Sequence, residues 1–370
     1  MKIRRVRATP VRVPITRAVT FSKRKRTHLE ATIVEVASDD GLTGVGETRA
    51  RWPAAVINER FAPLLRGVDP DDRTAVFDAC MPSPFDHGFP EWRCDLLAFA
   101  GVEMALWDLA GKRSGQPLYQ MLGGPVRERA PFGAYSYAAD LDEAGDESTV
   151  PQRMAGLARQ GIDQSGATLF EFKIAVHSVP CDIDTILAVR DELGPDIDIA
   201  VDANMGLTIE VARQLLAGVA DARLANIEEP VASLREMVQL RREFDVPMST
   251  HCFDVDTIAA YGEIDAVVSD IQAVGGIDRT LELIRQVTAL GRGFWLRAHW
   301  DTGIGWAAMC HLGIALPPLD RPAQALMQWI EDDLIDGPVW HVRQGGVRPP
   351  ARPGLGIELD RTSMARYTAP

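Results

Sequence analysis

Charged and polar side chains end a series of short apolar runs in the second half of the chain, and together they could hold a metal ion and move a proton. Lys173 closes the run TLFEFK, Asp202 closes IDIAVD, and Glu228 lies in NIEE. A single aspartate in such a place is more often a helix cap. Several polar residues at one edge of a sheet would instead form a site. The full set is Lys173, Asp202, Asn204, Glu228, Glu229, His251, Asp270, His299 and Glu331.

The chemistry of this set divides between metal binding and proton transfer. Asp202 and Glu228 follow consecutive predicted strands and offer the carboxylate oxygens that Mg²⁺ prefers. Lys173 and His299 could face each other across a substrate, and Asp270 could hold the His299 imidazole in one tautomer. A divalent cation beside two bases suits removal of the proton α to a carboxylate, because the cation stabilises the resulting ene-diolate. The predicted catalytic residues are Lys173, Asp270, His299 and Glu331.

The elements that must position these side chains have the pattern of alternating strands and helices. From Pro131 onward, apolar runs of strand length begin near residues 131, 168, 197, 223, 245, 264, 293 and 324. Helical patterns such as IEVARQLLAGV separate them. Eight alternations over ~200 residues predict a (β/α)8 barrel, in which the strand ends build the site. A doubly wound sheet is the alternative, but no GxGxxG follows the first of these strands.

The N-terminal third of the chain has a different pattern. Residues 1–48 alternate as β structure, and helical spacing follows from about Cys94 to Arg113. The Gly- and Pro-rich tail GGVRPPARPGLGIELD predicts a return to this module. We therefore predict an α/β fold with a modified (β/α)8 barrel of the TIM type over residues 129–336. An α+β capping domain of residues 1–128 would be completed by the C-terminal tail, from about residue 337 to residue 370.

The composition favours a soluble protein that acts on small molecules. A net charge of −13 disfavours nucleic acid as a partner. The five cysteines are odd in number and form no CxxC pair, which suits a reducing compartment. The start, MKIRRVRATPVRVPI, has no apolar signal core, and no apolar run approaches ~18 residues. We predict a cytoplasmic homo-oligomer that takes a small anionic substrate and binds neither nucleic acid nor membrane.

Five segments resemble, in their order along nearly the whole chain, the enolase superfamily in its mandelate racemase and glucarate dehydratase branch. VDAN (201–204) and IEEP (227–230) look like that family's first two metal-ligand strands. SDIQAVGGI (269–277) and RAHWDTGIGWAAMCHL (297–312) are similar to the segments of its aspartate–histidine dyad, and PGLGIEL (353–359) resembles its returning tail. The resemblance implies a capping domain on a modified barrel, bound Mg²⁺, and abstraction of the proton α to a carboxylate.

The sequence departs from the family pattern at Lys173. Relatives usually carry Lys-x-Lys on the second strand, where this chain has the triplet EFK; an alternative register would place the pair at Lys173 and Ala175. The spacing to Asp202 favours Lys173 as the second lysine, which is the family's usual base. A neighbouring carboxylate, here Glu171, raises the pKa of a lysine. We therefore expect Lys173 to stay protonated and to act electrostatically, and His299 to do more of the abstraction.

A second departure concerns the third metal ligand. Many relatives carry Gly-Glu at the end of the fifth strand, and this chain has VPMSTHCFD. The run is similar to the glucarate dehydratase version, in which an asparagine takes the place of His251. His251 is the first candidate and Asp254 the second; contact of His251 with substrate or structure alone is the remaining alternative. An imidazole ligand would widen the choice from Mg²⁺ to Mn²⁺ or another divalent metal.

The loops of the predicted capping domain that would lie above the site are basic. They are VTFSKRKRTHLE (19–30) and ETRARWPAA (47–55). A run of charges more often forms a solvated patch, but on an acidic chain such loops would draw in an anion. Few large apolar residues accompany them, so a polyhydroxylated acid or diacid fits better than a mandelate-like substrate. The predicted substrate contacts are Asn204, Tyr137, Arg24, Arg26, Arg51 and Trp300.

Dehydration of an acid sugar (an aldonate or aldarate) to a 2-keto-3-deoxy acid is the first hypothesis, with protonated His299 helping the β-hydroxyl to leave. Racemisation or epimerisation of a 2-hydroxy acid is the second, but it needs a usable base on each face, and Glu171 disfavours Lys173 in that role. Cycloisomerisation is the third, because that branch relies on lysines on both sides. A non-catalytic relative that binds a carboxylate is the alternative of a different class.

Overall fold

The structure is a computed structural model of the chain, and it describes residues 1–21, 24–83, 85, 88–138, 146–298, 300–325, 330–336 and 340–369. Within these ranges, no helix has both the length and the apolar character needed to cross a membrane. The five cysteines are free thiols.

An antiparallel sheet of three strands forms the start of the chain. The strands are β1 (Ile3–Phe21), β2 (Arg24–Ser38) and β3 (Thr43–Arg49), with β2 in the centre. Alternation gives this sheet two apolar faces: Val11 and Val13 pack toward the barrel, whereas Val34 and Val36 pack toward the helices that follow. The predicted β structure of residues 1–48 is therefore present.

The helices that follow cover one face of this sheet. They are α1 (Pro53–Val56), α2 (Ala62–Leu65), α3 (Arg73–Cys80), α4 (Phe89–Ser114) and α5 (Leu118–Met121), and a π-helical turn (Ile57–Phe61) joins α1 to α2. The long helix α4 contains the predicted helical segment and packs closely on β3. Gly46 permits this approach, because a Cβ there would collide with the carbonyl oxygen of Gly101 in α4.

Parallel strands form the second, larger sheet. After the two-residue strand β4 (Ala130–Pro131), seven strands pair in chain order. They are β5 (Ala134–Ser136), β6 (Leu169–Lys173), β7 (Asp198–Asp202), β8 (Asn226–Glu228), β9 (Met248–Thr250), β10 (Ala266–Ser269) and β11 (Gly293–Leu296). Strands paired in chain order make a parallel sheet that curls on itself, as the alternating pattern predicts.

Residues 323–324 connect the two edges of this sheet. Ala323 forms a parallel bridge with Phe132, and its carbonyl accepts a hydrogen bond from the amide of Gly133 at 2.9 Å. On the other side, the amide of Gln324 donates to the carbonyl of Leu296 in β11 at 3.4 Å. The eighth predicted run begins here, and its residues 326–329 lie outside the described residues. The chain therefore has the predicted barrel architecture, which the described residues form with seven strands and a short connecting segment.

Helices alternate with these strands and pack around them. They are α6 (Val150–Ser165), α7 (Val179–Leu193), α8 (Ile209–Gly218), α9 (Leu234–Glu243), α10 (Val255–Ala260), α11 (Ile277–Ala289) and α12 (Gly303–Ala315). Side-chain caps begin several of them: Ser178, Thr208 and Thr302 each accept a hydrogen bond from a backbone amide of the first turn. These caps fix where each loop from a strand end enters its helix.

Two buried glutamates of the N-terminal domain cap the last two of these helices. Glu47 of β3 accepts hydrogen bonds from the amides of Thr302 and Gly305, both at 2.9 Å, at the start of α12. Glu103 of α4 accepts from the amides of Ile277 at 2.7 Å and Asp278 at 2.9 Å, at the start of α11. Burial raises the pKa of each carboxyl to about 8, although the amide hydrogen bonds act to lower it. These hydrogen bonds tie the capping domain to the barrel.

The C-terminal tail returns to the N-terminal domain. Its elements are β12 (Ile335–Asp336), β13 (Gly346–Val347), which pairs with β4, β14 (Glu358–Leu359), which pairs with β12, and α13 (Arg361–Tyr367). The amide of Leu355 donates to Oδ1 of Asp108 in α4 at 2.7 Å, and Thr368 bridges Val11 of β1. The tail thus completes the capping domain; the residue boundaries at 128 and 337 stay predictions.

Candidate active site

A cavity of about 110 Å³ opens at the carboxyl ends of the parallel strands, and we call it the mouth cavity. Its wall is built from the ends of five strand segments and from Arg26 of β2. The lining residues are Arg26, Tyr135, Tyr137, Lys173, Asp202, Asn204, Glu228, Arg297, Ala298, Trp300 and Gln324. The structure therefore brings together one predicted catalytic residue (Lys173), two predicted metal ligands (Asp202 and Glu228) and four predicted substrate contacts (Asn204, Tyr137, Arg26 and Trp300).

Three buried carboxylates meet at the floor of this cavity. Strand register places Asp202 opposite Glu228 on β8, and Glu171 lies one inward-facing position before Lys173 on β6. Glu171, Asp202 and Glu228 are 3 %, 1 % and 1 % exposed. Each offers one oxygen to a group whose atoms lie within 4.8 Å of one another. Such a set of hard oxygen donors fits a divalent cation of the Mg²⁺ type.

Lys173 and Gln324 contact this carboxylate cluster from two sides. The ammonium of Lys173 donates a hydrogen bond to Oδ2 of Asp202, on the neighbouring strand. The amide nitrogen of Gln324 donates to Oε1 of Glu171 at 2.6 Å and lies 3.3 Å from Oε2 of Glu228. The direct partner of Lys173 is thus Asp202, whereas we expected Glu171 to act on it as its neighbour along β6.

Burial and repulsion between carboxylates raise the pKa values of two of the three carboxyls, whereas nearby basic groups lower that of the third. Burial, and then the charges of Glu228 and Asp202, raise the pKa of Glu171 to about 8. Burial and Glu228 raise the pKa of Asp202 to about 6, against the opposing effect of Lys173. Burial also acts to raise the pKa of Glu228, but the interactions with His251, Lys173 and Arg297 together outweigh it and lower that pKa to about 2. A bound divalent cation would relieve this repulsion.

His251 lies at the edge of the cluster, beyond Glu228. Its Nε2 is 2.6 Å from Oε1 of Glu228, and its ring is partly exposed. Glu229 accepts hydrogen bonds from the amide of His251 and from Oγ1 of Thr250, which fixes the end of β9. This position is consistent with a ligand that shares an ion with Glu228, and equally with a hydrogen-bonded partner of that carboxylate. The assignment of His251 as third ligand stays a prediction.

Asp254, the other candidate metal ligand, has a structural role. Its side chain caps α10 by accepting a hydrogen bond from the amide of Thr257 at 2.9 Å, and this bond lowers its pKa. It is exposed and lies outside the carboxylate cluster. The helix-cap alternative therefore explains Asp254.

Arg297, at the end of β11, joins His251 to Asp270. Its Nη1 lies 3.0 Å and 3.1 Å from the two ring nitrogens of His251, and its Nη2 lies 3.1 Å from Oδ2 of Asp270. Asp270 is buried, also accepts from the amide of Ala273 at 2.6 Å, and lies 3.5 Å from Nη1 of Arg49. Two guanidinium groups therefore face the predicted dyad aspartate. Its proposed partner, His299, lies outside the described residues.

Aromatic side chains form the opposite wall of the mouth cavity. Tyr137 stacks on Trp300 with ring centroids 5.4 Å apart, and Tyr135 contacts Tyr137 edge-on at 5.5 Å. The guanidinium of Arg26 lies over the Trp300 ring at 5.4 Å. Burial raises the pKa of both tyrosines, so each keeps its phenolic proton and can donate a hydrogen bond.

Strained backbone surrounds the cavity. Ala175, Asn204, Glu229 and Trp300 have positive φ angles of 61°, 46°, 45° and 61°, and each follows the end of a barrel strand. Asn204 also donates two hydrogen bonds to Asp202, from its amide at 2.7 Å and from its side chain at 3.1 Å. Non-glycine residues in this region are uncommon and often mark functional sites. The turns after the strands therefore hold the carboxylates in fixed orientations.

Several predicted site residues are not part of the cavity wall. Glu331 is exposed, and its amide donates to the carbonyl of Pro14. Arg51 lies 3.3 Å from Glu30 in the capping domain. Arg24 begins β2, and its side chain, like residues 22–23, lies outside what the structure describes. Glu331 and Arg51 therefore lie outside the cavity wall and the carboxylate cluster: Glu331 follows a bridge between Ile330 and Ile15 of β1, and Arg51 follows β3 of the capping domain.

Sequence reasoning missed three polar residues of the cavity wall and the place of Glu171 in the carboxylate cluster. Arg297, Gln324 and Tyr135 line the cavity without having been singled out, and Glu171 joins the carboxylate cluster. Glu171 carried a signal, since a buried acid within an apolar strand needs a partner. Gln324 carried none, because its position depends on how residues 323–324 connect the sheet edges.

The fold and the mouth cavity define the class: an α+β domain capping a parallel barrel whose strand ends carry acidic and basic groups. Residues 2–123 match the family model of the mandelate racemase / muconate lactonizing enzyme N-terminal domain, and residues 153–363 match that of the enolase C-terminal domain-like family. The chain therefore belongs to the mandelate racemase / muconate lactonizing enzyme family of the enolase superfamily.

Curated relatives and solved structures are similar over almost the whole chain. A probable glucarate dehydratase of Streptomyces coelicolor is 26 % identical, over 90 % of this chain and 83 % of its own. A D-galactarolactone cycloisomerase of Agrobacterium fabrum is 26 % identical, over 94 % of this chain and 92 % of its own. An arabinonate dehydratase of Saccharolobus solfataricus is 25 % identical, over 90 % of this chain and 88 % of its own. A solved enolase structure from Streptomyces coelicolor has a TM-score of 0.91 and 27 % identity, covering 100 % of this chain and 97 % of that one.

Proposed function

We propose that the protein is a metal-dependent acid-sugar dehydratase, which removes the proton α to a carboxylate and expels the β-hydroxyl as water. The observation that carries this proposal is the buried cluster of Glu171, Asp202 and Glu228 with Lys173 bonded to Asp202 at the barrel mouth. A divalent cation held there, Mg²⁺ in the first instance, would supply positive charge for the substrate carboxylate as its α-carbon loses a proton.

The residues around the cluster would offset negative charge, orient Asp202 and contact the substrate. Lys173 places an ammonium beside Asp202, where it can offset negative charge that develops on the substrate. Asn204 orients Asp202, and Arg297 places a guanidinium between His251 and Asp270. Tyr137 and Trp300 line the cavity as a stacked pair, with the guanidinium of Arg26 over the Trp300 ring. These groups suit a polyhydroxylated anion better than an aromatic acid.

The acid–base group of the proposed reaction is His299, oriented by Asp270. His299 takes the α-proton from the substrate, and in its protonated form it gives a proton to the β-hydroxyl, which leaves as water. The enol then tautomerises to a 2-keto-3-deoxy acid, so one acid sugar yields one keto acid and one water. The dehydratase names of two relatives support this reaction for the present chain.

Lactone cycloisomerisation or racemisation is the second candidate, and the relative named D-galactarolactone cycloisomerase favours the former. Both begin with loss of the same α-proton but expel no water. A library with open-chain aldonates and aldarates in one set, and their lactones in another, is incubated with Mg²⁺ and assayed for 2-keto acids; the sets separate the candidates, because β-elimination in a lactone also gives a keto acid but expels no water. The proposal expects a 2-keto-3-deoxy product from at least one open-chain acid; keto acids formed only from lactones, or isomerised products without any keto acid, would refute the dehydratase assignment.

A small anionic substrate and a homo-oligomeric state are further proposals. The first follows from the arginines at the cavity. The second can be measured by light scattering of the full chain, and a monomer at all concentrations would contradict it.

A further inference from the structure

Glu171 on β6 places a carboxylate where relatives usually carry a lysine. The side chain is 3 % exposed, and it offers an oxygen within 4.8 Å of oxygens of Asp202 and Glu228. The three residues come together because β6, β7 and β8 are neighbours in the parallel sheet. Buried carboxylates repel one another unless a cation lies among them. The glutamate therefore adds an oxygen donor to the cluster where a lysine would add a cation.

Gln324 holds the carboxylate of Glu171 in this position. Its side-chain nitrogen donates to Oε1 of Glu171 at 2.6 Å and lies 3.3 Å from Oε2 of Glu228. Gln324 is 6 % exposed, and its backbone amide donates to the carbonyl of Leu296 in β11, so the side chain starts from a fixed point of the sheet. A carboxamide carries no net charge. Gln324 therefore orients Glu171 but leaves the negative charge of that carboxylate for a cation to neutralise.

Other side chains engage both ring nitrogens of His251. Nε2 lies 2.6 Å from Oε1 of Glu228, and Nδ1 lies 3.0 Å from Nη1 of Arg297. A guanidinium only donates and a carboxylate only accepts, so a ring that donates from Nε2 and accepts at Nδ1 satisfies both contacts. A metal-bound imidazole must instead offer the lone pair of one nitrogen to the cation. Nη1 of Arg297 also lies 3.1 Å from Nε2, so a positive charge borders both nitrogens and would repel a metal ion there.

We propose that Glu171, in place of His251, is the third protein ligand of the divalent cation, and that Gln324 is the residue that positions it. This inference rests on the metal dependence of the proposed function. It takes all three ligands from the neighbouring strands β6, β7 and β8, and it leaves His251 as a hydrogen-bonding partner of Glu228 and Arg297. Three carboxylates favour Mg²⁺ or Mn²⁺, whereas an imidazole ligand would favour softer metals.

The native protein loaded with Mn²⁺ alone gives the first test, because pulsed EPR detects the nitrogen-14 nucleus of an imidazole that binds the ion directly. We expect no such coupling, and a Mn²⁺–imidazole complex in the same buffer is the positive control. A nitrogen-14 coupling as strong as that of the complex overturns the inference. The measurement needs no variant, so its result does not depend on whether a substitution at the buried cluster allows folding.

Calorimetric titration with Mn²⁺ then identifies the carboxylate ligand. Glu171→Gln keeps the size of the side chain but removes its charge, and the affinity for Mn²⁺ should fall by about tenfold or more. His251→Gln keeps a donor for Glu228 and should lose less affinity than Glu171→Gln. Glu210→Gln, the same charge change on the exposed first turn of α8, is the control and should bind as the native protein does. Native affinity in Glu171→Gln, or an equal or larger loss in His251→Gln, overturns the inference.

Gln324→Leu tests the positioning role through a double-mutant cycle. Alone, it should weaken Mn²⁺ binding by roughly tenfold, as loss of a group that orients a ligand does. Combined with Glu171→Gln it should cost less, because the carboxylate that it orients is gone. Equal losses in both backgrounds would refute the positioning role.

These measurements contain no substrate, so they separate this inference from the proposed function. A protein that binds Mn²⁺ through Glu171 and converts no acid sugar retains the inference and refutes the dehydratase assignment. Turnover by a protein whose Mn²⁺ has a bound imidazole does the reverse. A native protein that binds no Mn²⁺ refutes both.

Discussion

The ammonium of Lys173 is bonded to the carboxylate of Asp202, its cross-strand neighbour at the mouth of the barrel. Asp202 also belongs to the carboxylate cluster with Glu171 and Glu228. Lys173 and a divalent cation would therefore both interact with the carboxylate of Asp202. Lys173 is thus one of the cations that this chain itself provides to the cluster, and Arg297 and Arg321 also act on it.

Replacement of Lys173 should separate metal binding from turnover. Lys173→Ala removes one positive charge beside the cluster, so the affinity for Mg²⁺ should stay equal or become tighter. Turnover should fall by roughly 10²–10⁴-fold, the range for loss of a proton-transfer or charge-stabilising group. Calorimetric titration with Mg²⁺ and steady-state assays measure the two effects. Lys2→Ala, at the exposed start of β1, is the control; loss of Mg²⁺ binding in Lys173→Ala would contradict the account.

Hydrogen exchange at the α-carbon distinguishes the two candidate bases. In His299→Asn, both turnover and exchange of the α-proton with deuterated water should disappear. In Lys173→Ala, turnover should be lost while slow exchange at the same carbon continues. Proton NMR of the recovered substrate gives both rates. The opposite pattern, with exchange retained in His299→Asn and absent in Lys173→Ala, would make the lysine the base.

Binding of a divalent cation should depend on pH through Glu171. Its pKa is raised to about 8, chiefly by burial and also by Glu228 and Asp202, so below that pH the side chain holds a proton. A metal ligand must be deprotonated, so binding releases this proton, and the affinity for Mg²⁺ should rise with pH, by up to about tenfold per unit, until about pH 8. Glu171→Gln should weaken binding and flatten this slope. Calorimetry in buffers of different ionisation enthalpy counts the protons; no release in the native protein would exclude Glu171 as a ligand.

The contact between the two domains should depend on Glu47. Glu47→Ala leaves the amides of Thr302 and Gly305 and the Thr302 hydroxyl without their buried acceptor. We expect the free energy of unfolding to fall by roughly 2–4 kcal/mol, the cost of unpaired buried donors. Urea denaturation followed by fluorescence measures it, with Glu59→Ala on the exposed side of the π-helical turn as a control that should change it by less than about 0.5 kcal/mol. Equal stability of the two variants would show that the cap is dispensable.

The strand ends could be predicted because periodicity locates them. Asp202 and Glu228 follow short apolar runs, and parallel strands bring their carboxyl ends to one edge, so their proximity was expected from order along the chain. Lys173 was placed with them by the same reasoning. Glu331 followed the same rule and lies elsewhere, because the eighth run does not continue as a barrel strand through the described residues.

Contacts between distant segments could not be predicted from periodicity. Arg297, which follows β11, contacts His251, which follows β9. Gln324 contacts Glu171, which lies more than a hundred residues earlier in the chain. Glu47 and Glu103 cap helices of the other domain, and their sequence neighbours show no sign of it. Such contacts depend on how the domains and sheet edges meet. The hydrophobic periodicity of a single segment gives no information about these tertiary contacts.

The central claim is that the carboxylate cluster supports metal-dependent loss of the α-proton from an acid sugar, followed by dehydration. The most direct measurement is the reaction of the best acid sugar from the library in deuterated water, with Mg²⁺ and with a chelator, followed by NMR of the product. The account predicts a 2-keto-3-deoxy acid that carries deuterium at carbon 3, formed with Mg²⁺ and not with the chelator, and not formed by Asp202→Asn. Product formation that continues unchanged with the chelator, or in Asp202→Asn, would contradict it.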